Sequence, residues 1–142
     1  MQTTKEKIRY KEAIGRRKTA IARVRIYPST NKPTKEIESF DVTVNEIPAQ
    51  EYFKIERLRK VATAPFVTLN TSFKTTVKVQ GGGPSSQAEA VRLGIARALN
   101  NLNEKWHTPL KAAGFLKRDS RAVERKKPGL RKARRPQQWR KR

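Results

Sequence analysis

Apolar and polar positions alternate along residues 16–27. Ala20, Ala22, Val24 and Ile26 share one side, Arg23 and Arg25 the other, which is the period of a half-buried strand. Residues 27–34 are turn chemistry, with Pro28 and Pro33, which a central ladder does not accept. Strand character resumes over 37–44, so the two runs are expected to pair as a hairpin. Residues 48–53 and 54–62 read as short helical pieces, which Pro65 is expected to end. Residues 66–69 read as a short apolar strand. Residues 73–80 alternate again, with Phe73, Thr75, Val77 and Val79 on one face and Lys74, Thr76, Lys78 and Gln80 on the other.

Gly81-Gly82-Gly83-Pro84 breaks that strand, and a helix follows. Ser86 and Glu89 have capping-box spacing at its start, and Ala88, Val91, Ile95, Leu99 and Leu102 form one apolar stripe. Thr108-Pro109 opens a second helix reaching about Ala113, with Gly114 suited to its C-terminal cap. Beyond Gly114 no period survives. The order implies an α+β fold, a mixed or antiparallel four-stranded sheet backed by helices on one face. Three parts are expected: a flexible arm over 1–14, a globular body over 15–113 and an extended basic tail over 114–142.

Charge changes the picture from fold to partner. The chain has 34 Lys and Arg against 12 Asp and Glu, a net charge of +22. Residues 111–142 hold 14 of those cations and only two acids, Asp119 and Glu124. Too few apolar residues lie there to offset the ordering entropy, so the segment needs a polyanion to settle against. The rest of the chain is basic as well, which points to nucleic acid. A membrane partner is disfavoured, because no apolar run approaches the ~18 residues of a span and the tail lacks the apolar face of an interfacial helix. The absence of Cys excludes disulfides and thiolate metal sites. The first residues lack the apolar core of a signal peptide, and Glu6 and Glu12 argue against a transit peptide. No homo-oligomer is implied.

Candidate chemistry is all phosphate chemistry. The only His, His107, has no metal-ligating company, and no acid/base pair or nucleophile elbow stands out. No enzyme, metal or cofactor is therefore expected. Arg16, Arg17 and Lys18 set three charges at a strand entrance, where phosphate contact is favoured over a merely solvated end. Gly82 and Gly83, in a glycine turn before a helix, suit either RNA backbone contact or tight packing. Arg92 and Arg97 lie off their helix's apolar stripe, and Gly94 inside it costs about 1 kcal/mol unless it serves close packing. In the tail, Asp119 lies between Arg118 and Arg121, and Glu124 beside Arg125, Lys126 and Lys127, which favours local pairing. Pro128-Gly129 interrupts, and Arg131, Lys132, Arg134 and Arg135 follow. Fully extended, residues 114–142 reach roughly 95 Å. Trp139 suits base stacking, worth about 1–3 kcal/mol. The plain alternative is a solvated tail.

These residues resemble the ninth protein of the small ribosomal subunit, bacterial type. The resemblance rests on Gly15-Arg16-Arg17-Lys18-Thr19-Ala20, on Val77-Lys78-Val79-Gln80-Gly81-Gly82-Gly83, and on 87–99. Its most specific run is 110–135, from Leu110-Lys111-Ala112-Ala113-Gly114 onward. It implies a fold like the second domain of ribosomal protein five and a place in the subunit head, against the 3′ major domain of the ribosomal RNA. It implies the seventh, tenth and fourteenth head proteins as neighbours, in cytoplasmic ribosomes, with organellar ribosomes as the alternative. It also implies that the tail threads toward the peptidyl-site tRNA and touches it with Lys141 and Arg142. Arg140 stands where the family usually has Ser, and Pro136 lies one place early, so the tip carries an additional cation here. The rival reading from another class is a free architectural nucleic-acid binder.

Overall fold

A computed structural model describes residues 10–32 and 41–141. The sheet has five strands rather than the expected four, in the order β1-β2-β5-β3-β4. These are β1 (Lys11–Arg17), β2 (Ala20–Lys32), β3 (Val42–Val44), β4 (Ile47–Pro48) and β5 (Ser72–Gln80). Four helices, α1 (Ala49–Tyr52), α2 (Glu56–Leu69), α3 (Pro84–Leu102) and α4 (His107–Ala112), complete the body, with a 3₁₀ turn at Glu104–Trp106.

Two strands are unexpected, β1 and β4, and one expected strand, 66–69, is absent. Lys11–Ile14, assigned by pattern to the arm, pair with β2, and residues 1–9 of the arm lie outside the described residues. The hairpin closes through Lys18-Thr19, with Lys18 at a left-handed φ of 49°. Glycine or asparagine normally takes such a position, so the sequence carries no turn signal there.

Among the described residues, β2 and the 41–44 part of that run do not pair as the expected hairpin. β3 instead pairs in parallel with β5, the two joined through α2 as a β-α-β crossover, and the 37–40 part of that run lies outside the described residues. β3 and β4 make a two-residue hairpin in which both Asn45 and Glu46 have positive φ, 49° and 70°. The Asn45 amide lies against the β5 edge. Its Nδ2 donates to the Val79 carbonyl at 3.0 Å and its Oδ1 accepts from the Val79 N–H at 2.9 Å. A side-chain amide thus continues the ladder where β3 ends.

Pro65 does not stop a helix; it sits inside α2, and residues 66–69 are that helix's last turn rather than a strand. An interior proline costs a hydrogen bond and a clash, about 3 kcal/mol. Burial of Ala62, Pro65 and Phe66 against the core holds the helix through it. Asn70, at φ 49°, closes α2, with its N–H and that of Thr71 donating to Val67 and Phe66.

The core lies between the sheet and α3. Ala20, Ala22, Val24 and Ile26 of β2 and Phe73, Thr75, Val77 and Val79 of β5 are all buried, as the alternation requires. The α3 stripe is buried too, with Leu102 half-buried at its end, but Ala90, Leu93, Ala96 and Ala98 are buried as well, because α3 packs on both the sheet and α2. Gly15 and Gly94 set the approach. A Cβ on Gly15 would lie 1.9 Å from the Ala90 carbonyl oxygen, and one on Gly94 would lie 2.5 Å from Val24. The helix thus crosses β1 and β2 at backbone distance, which accounts for a glycine inside α3.

Candidate nucleic-acid interface

Strand alternation separates the three cations of the β1–β2 tip. Arg16 is exposed on the face away from α3, and Lys18 is exposed in the turn. Arg17 falls on the core side and is buried. Its Nε donates to Glu89 at 2.6 Å, a terminal nitrogen pairs with Asp119 at 3.2 Å, and another donates to the Arg121 carbonyl. Arg17 therefore joins the hairpin, α3 and the C-terminal segment, and its charge is met by carboxylates of the chain itself.

The glycine turn lies against the same tip. Gly81 and Gly82 have φ of 73° and 67°. Added Cβ atoms would lie 2.6 Å from the Thr19 carbonyl oxygen and 2.9 Å from the Ala20 side chain. Close packing accounts for both glycines. Gly83 faces open space and is the N-cap of α3, whose first turn has no side-chain cap. The expected Ser86–Glu89 capping box is absent, since the helix begins at Pro84 and Glu89 is engaged with Arg17. Lys18, Arg17 and residues 121–123 line a shallow cleft of about 280 Å³ beside this tip.

The segment beyond α4 departs from the body through a defined corner. Gly114, at φ 75°, and Phe115 donate their N–H groups to Lys111 and Leu110, a Schellman closure of α4. Phe115 and Leu116 are half-buried on the core, and the Arg92 guanidinium lies 5.5 Å from the Phe115 ring centre. Arg97 is likewise structural, donating to the Ile14 carbonyl at 2.9 Å. His107 shares a 3.1 Å hydrogen bond with Asn100.

From Lys117 the side chains are mostly exposed. Both acids are engaged, Asp119 by Arg17 of the body as well as by its own neighbour. Asp119 accepts from the Arg121 side chain at 2.7 Å and from its backbone N–H at 3.0 Å. Those bonds hold its carboxyl far below the usual carboxylate range, so it stays ionised at any physiological pH. Glu124 accepts from Lys127 at 3.0 Å and Arg134 at 2.9 Å. The segment is not extended throughout. Gly129 turns the chain at φ 80°, Leu130 bridges Pro136, and Arg131 donates to the Arg135 carbonyl at 2.8 Å. Arg118, Arg125, Lys126, Arg131, Lys132 and Arg135 are exposed and have no ion pair among the described residues. The same holds for Arg140 and Lys141, and Trp139 is 80% exposed. Arg142 lies outside the described residues.

One cationic surface was not singled out from sequence. Arg23, Arg25 and Lys78 share the sheet face opposite α3, organised by Glu12, whose role depends on β1 existing at all. The signal was present in the polar half of each alternation, but strand pairing is needed to bring the two polar rows side by side.

A family model described as ribosomal protein S9/S16 matches residues 15–142.

Proposed function

The chain belongs to the ribosomal protein S9/S16 family, ribosomal-RNA-binding constituents of the small subunit, and from this membership we propose a place in the subunit head with the C-terminal segment directed at the peptidyl-site tRNA. The carrying observation is the state of the cations after Gly114. The segment's two acids are paired with neighbouring cations, while eight or more basic side chains, Arg140 and Lys141 among them, stay exposed and unpaired among the described residues. Such a surface binds phosphate by displacing condensed counterions, with a salt dependence of about 0.7–0.9 ions per phosphate met. No base-specific contact is required, and A-form RNA is met through its backbone and shape.

In this reading the body and the first part of the segment dock on the 3′ major domain. Arg131, Lys132, Arg134 and Arg135 lie along the RNA, and Trp139 stacks where a base is unpaired. Arg140, Lys141 and Arg142 meet the tRNA, and the seventh, tenth and fourteenth proteins are neighbours. The protein performs no reaction; it is ribosome-associated, and we place those ribosomes in the cytoplasm. Deleting Lys141 and Arg142 tests the tip. Small subunits should sediment at wild-type levels while tRNA affinity at the peptidyl site falls several-fold. Unchanged tRNA affinity with collapsed assembly would overturn the assignment.

A further inference from the structure

The sheet face away from α3 holds a second basic site that owes nothing to the C-terminal segment. Register places Glu12 opposite Arg25 across β1 and β2, Arg23 opposite Lys78 across β2 and β5, and Thr76 opposite Thr43 across β5 and β3. Arg23 and Arg25 donate their Nε atoms to separate oxygens of Glu12 at 2.7 and 2.8 Å. One carboxylate thus holds two guanidinium groups side by side, leaving their terminal nitrogens without partners among the described residues. Arg25 is further held over the Tyr10 ring, 4.8 Å from its centre. The cleft these groups border has a volume of about 180 Å³ and is lined by Arg23, Arg25, Lys78, Thr43, Thr76, Val77 and Glu46.

Three cations and two threonine hydroxyls border a small cleft with one carboxylate, Glu46, so donors outnumber acceptors around it. The residues stand on paired strands, so the donors are positioned before any ligand arrives. No aromatic ring lines the cleft, so a nucleobase has nothing to stack on there. Guanidinium groups instead match the forked oxygens of a phosphodiester.

We propose that this cleft seats a backbone phosphate of ribosomal RNA, giving the body a docking point on the face opposite its helices. The proposal rests on family membership for the RNA and not on the tRNA assignment. Because Arg17, Glu89 and Asp119 join on the α3 side, the two basic regions meet RNA from opposite faces of one sheet.

The test uses the full-length chain and small-subunit ribosomal RNA transcribed in vitro, with binding measured over a range of salt. The double variant Arg23→Gln, Lys78→Gln should bind about tenfold more weakly and lower the log–log salt slope by about 1, with the thermal midpoint lowered by only a few degrees because Arg25 keeps its bond to Glu12. Glu46→Gln removes the one acid lining the cleft and should tighten binding two- to threefold, whether or not the double variant folds well. In a chain with Arg131, Lys132, Arg134 and Arg135 neutralised, the face substitutions should add their full effect. An unchanged slope and affinity in the double variant overturns the proposal. So does weaker binding by Glu46→Gln, which would mean that the cleft's negative charge does not oppose RNA.

Discussion

The sheet–helix body and the segment beyond Gly114 are both rich in cations, yet they use charge in opposite ways. In the body, Arg17, Arg23, Arg25 and Arg97 are each tied to a carboxylate or carbonyl of the chain. Those bonds hold strand to helix or strand to strand. In the segment, apart from the Arg17–Asp119 joint, the pairs are local, Asp119 with Arg121 and Glu124 with Lys127 and Arg134, and most cations are unpaired among the described residues. Packing stabilises the first arrangement without a partner. The second has little buried surface to offset its ordering entropy and gains it from a polyanion.

Substitutions should divide along that line. The largest effect is expected at Gly15, where a side chain must enter the α3 backbone. Gly15→Val should cost about 3 kcal/mol or more and lower the thermal midpoint sharply. A midpoint within a degree or two of wild type would show that α3 and β1 can separate freely, and the contrast would lose its rigid side. Arg17→Met is intermediate because it cuts the joint between the two regions. Its partners Glu89 and Asp119 have side chains 30% and 32% exposed, so solvent softens the loss. A cost of about 1–2 kcal/mol is expected, below that of a fully buried pair. Proteolysis within residues 117–124 should accelerate more than the midpoint falls; equal changes would mean that the segment is part of the body. Neutralising Arg131, Lys132, Arg134 and Arg135 with Gln should alter stability least, within about 0.5 kcal/mol. The same variant should lower the salt slope of RNA binding by about 3. A constant slope, read by titration at several salt concentrations, would make those cations mere solvated charge.

Legibility followed the same division. Hydrophobic alternation located β2 and β5, and helical spacing located α3, because each has one face in the core. The glycine turn and the Gly114 corner were readable since positive φ selects that residue. What escaped was set by tertiary pairing. The β1–β2 turn uses Lys18 instead of a turn residue, α2 runs through Pro65, and β3 joins β5 across a helix. In the candidate interface, the exposed cations of the segment were evident as composition. The withdrawal of Arg17 was not, because only alternation along an unrecognised strand turns it inward. The Glu12–Arg23–Arg25 group stayed hidden for the same reason.

The Arg17 joint also orders events in time. Its partners lie 72 residues on, at Glu89, and 104 residues on, at Arg121. Contacts so distant in sequence form late, after loops have been closed by nearer ones. Synthesis delivers Arg17 first and its carbonyl partner 104 residues later. The hairpin and α3 must therefore be assembled before the joint can close. The direction in which the C-terminal segment leaves the body is accordingly set by a completed fold, so that a half-finished chain does not aim its cations at RNA along the path a finished one takes.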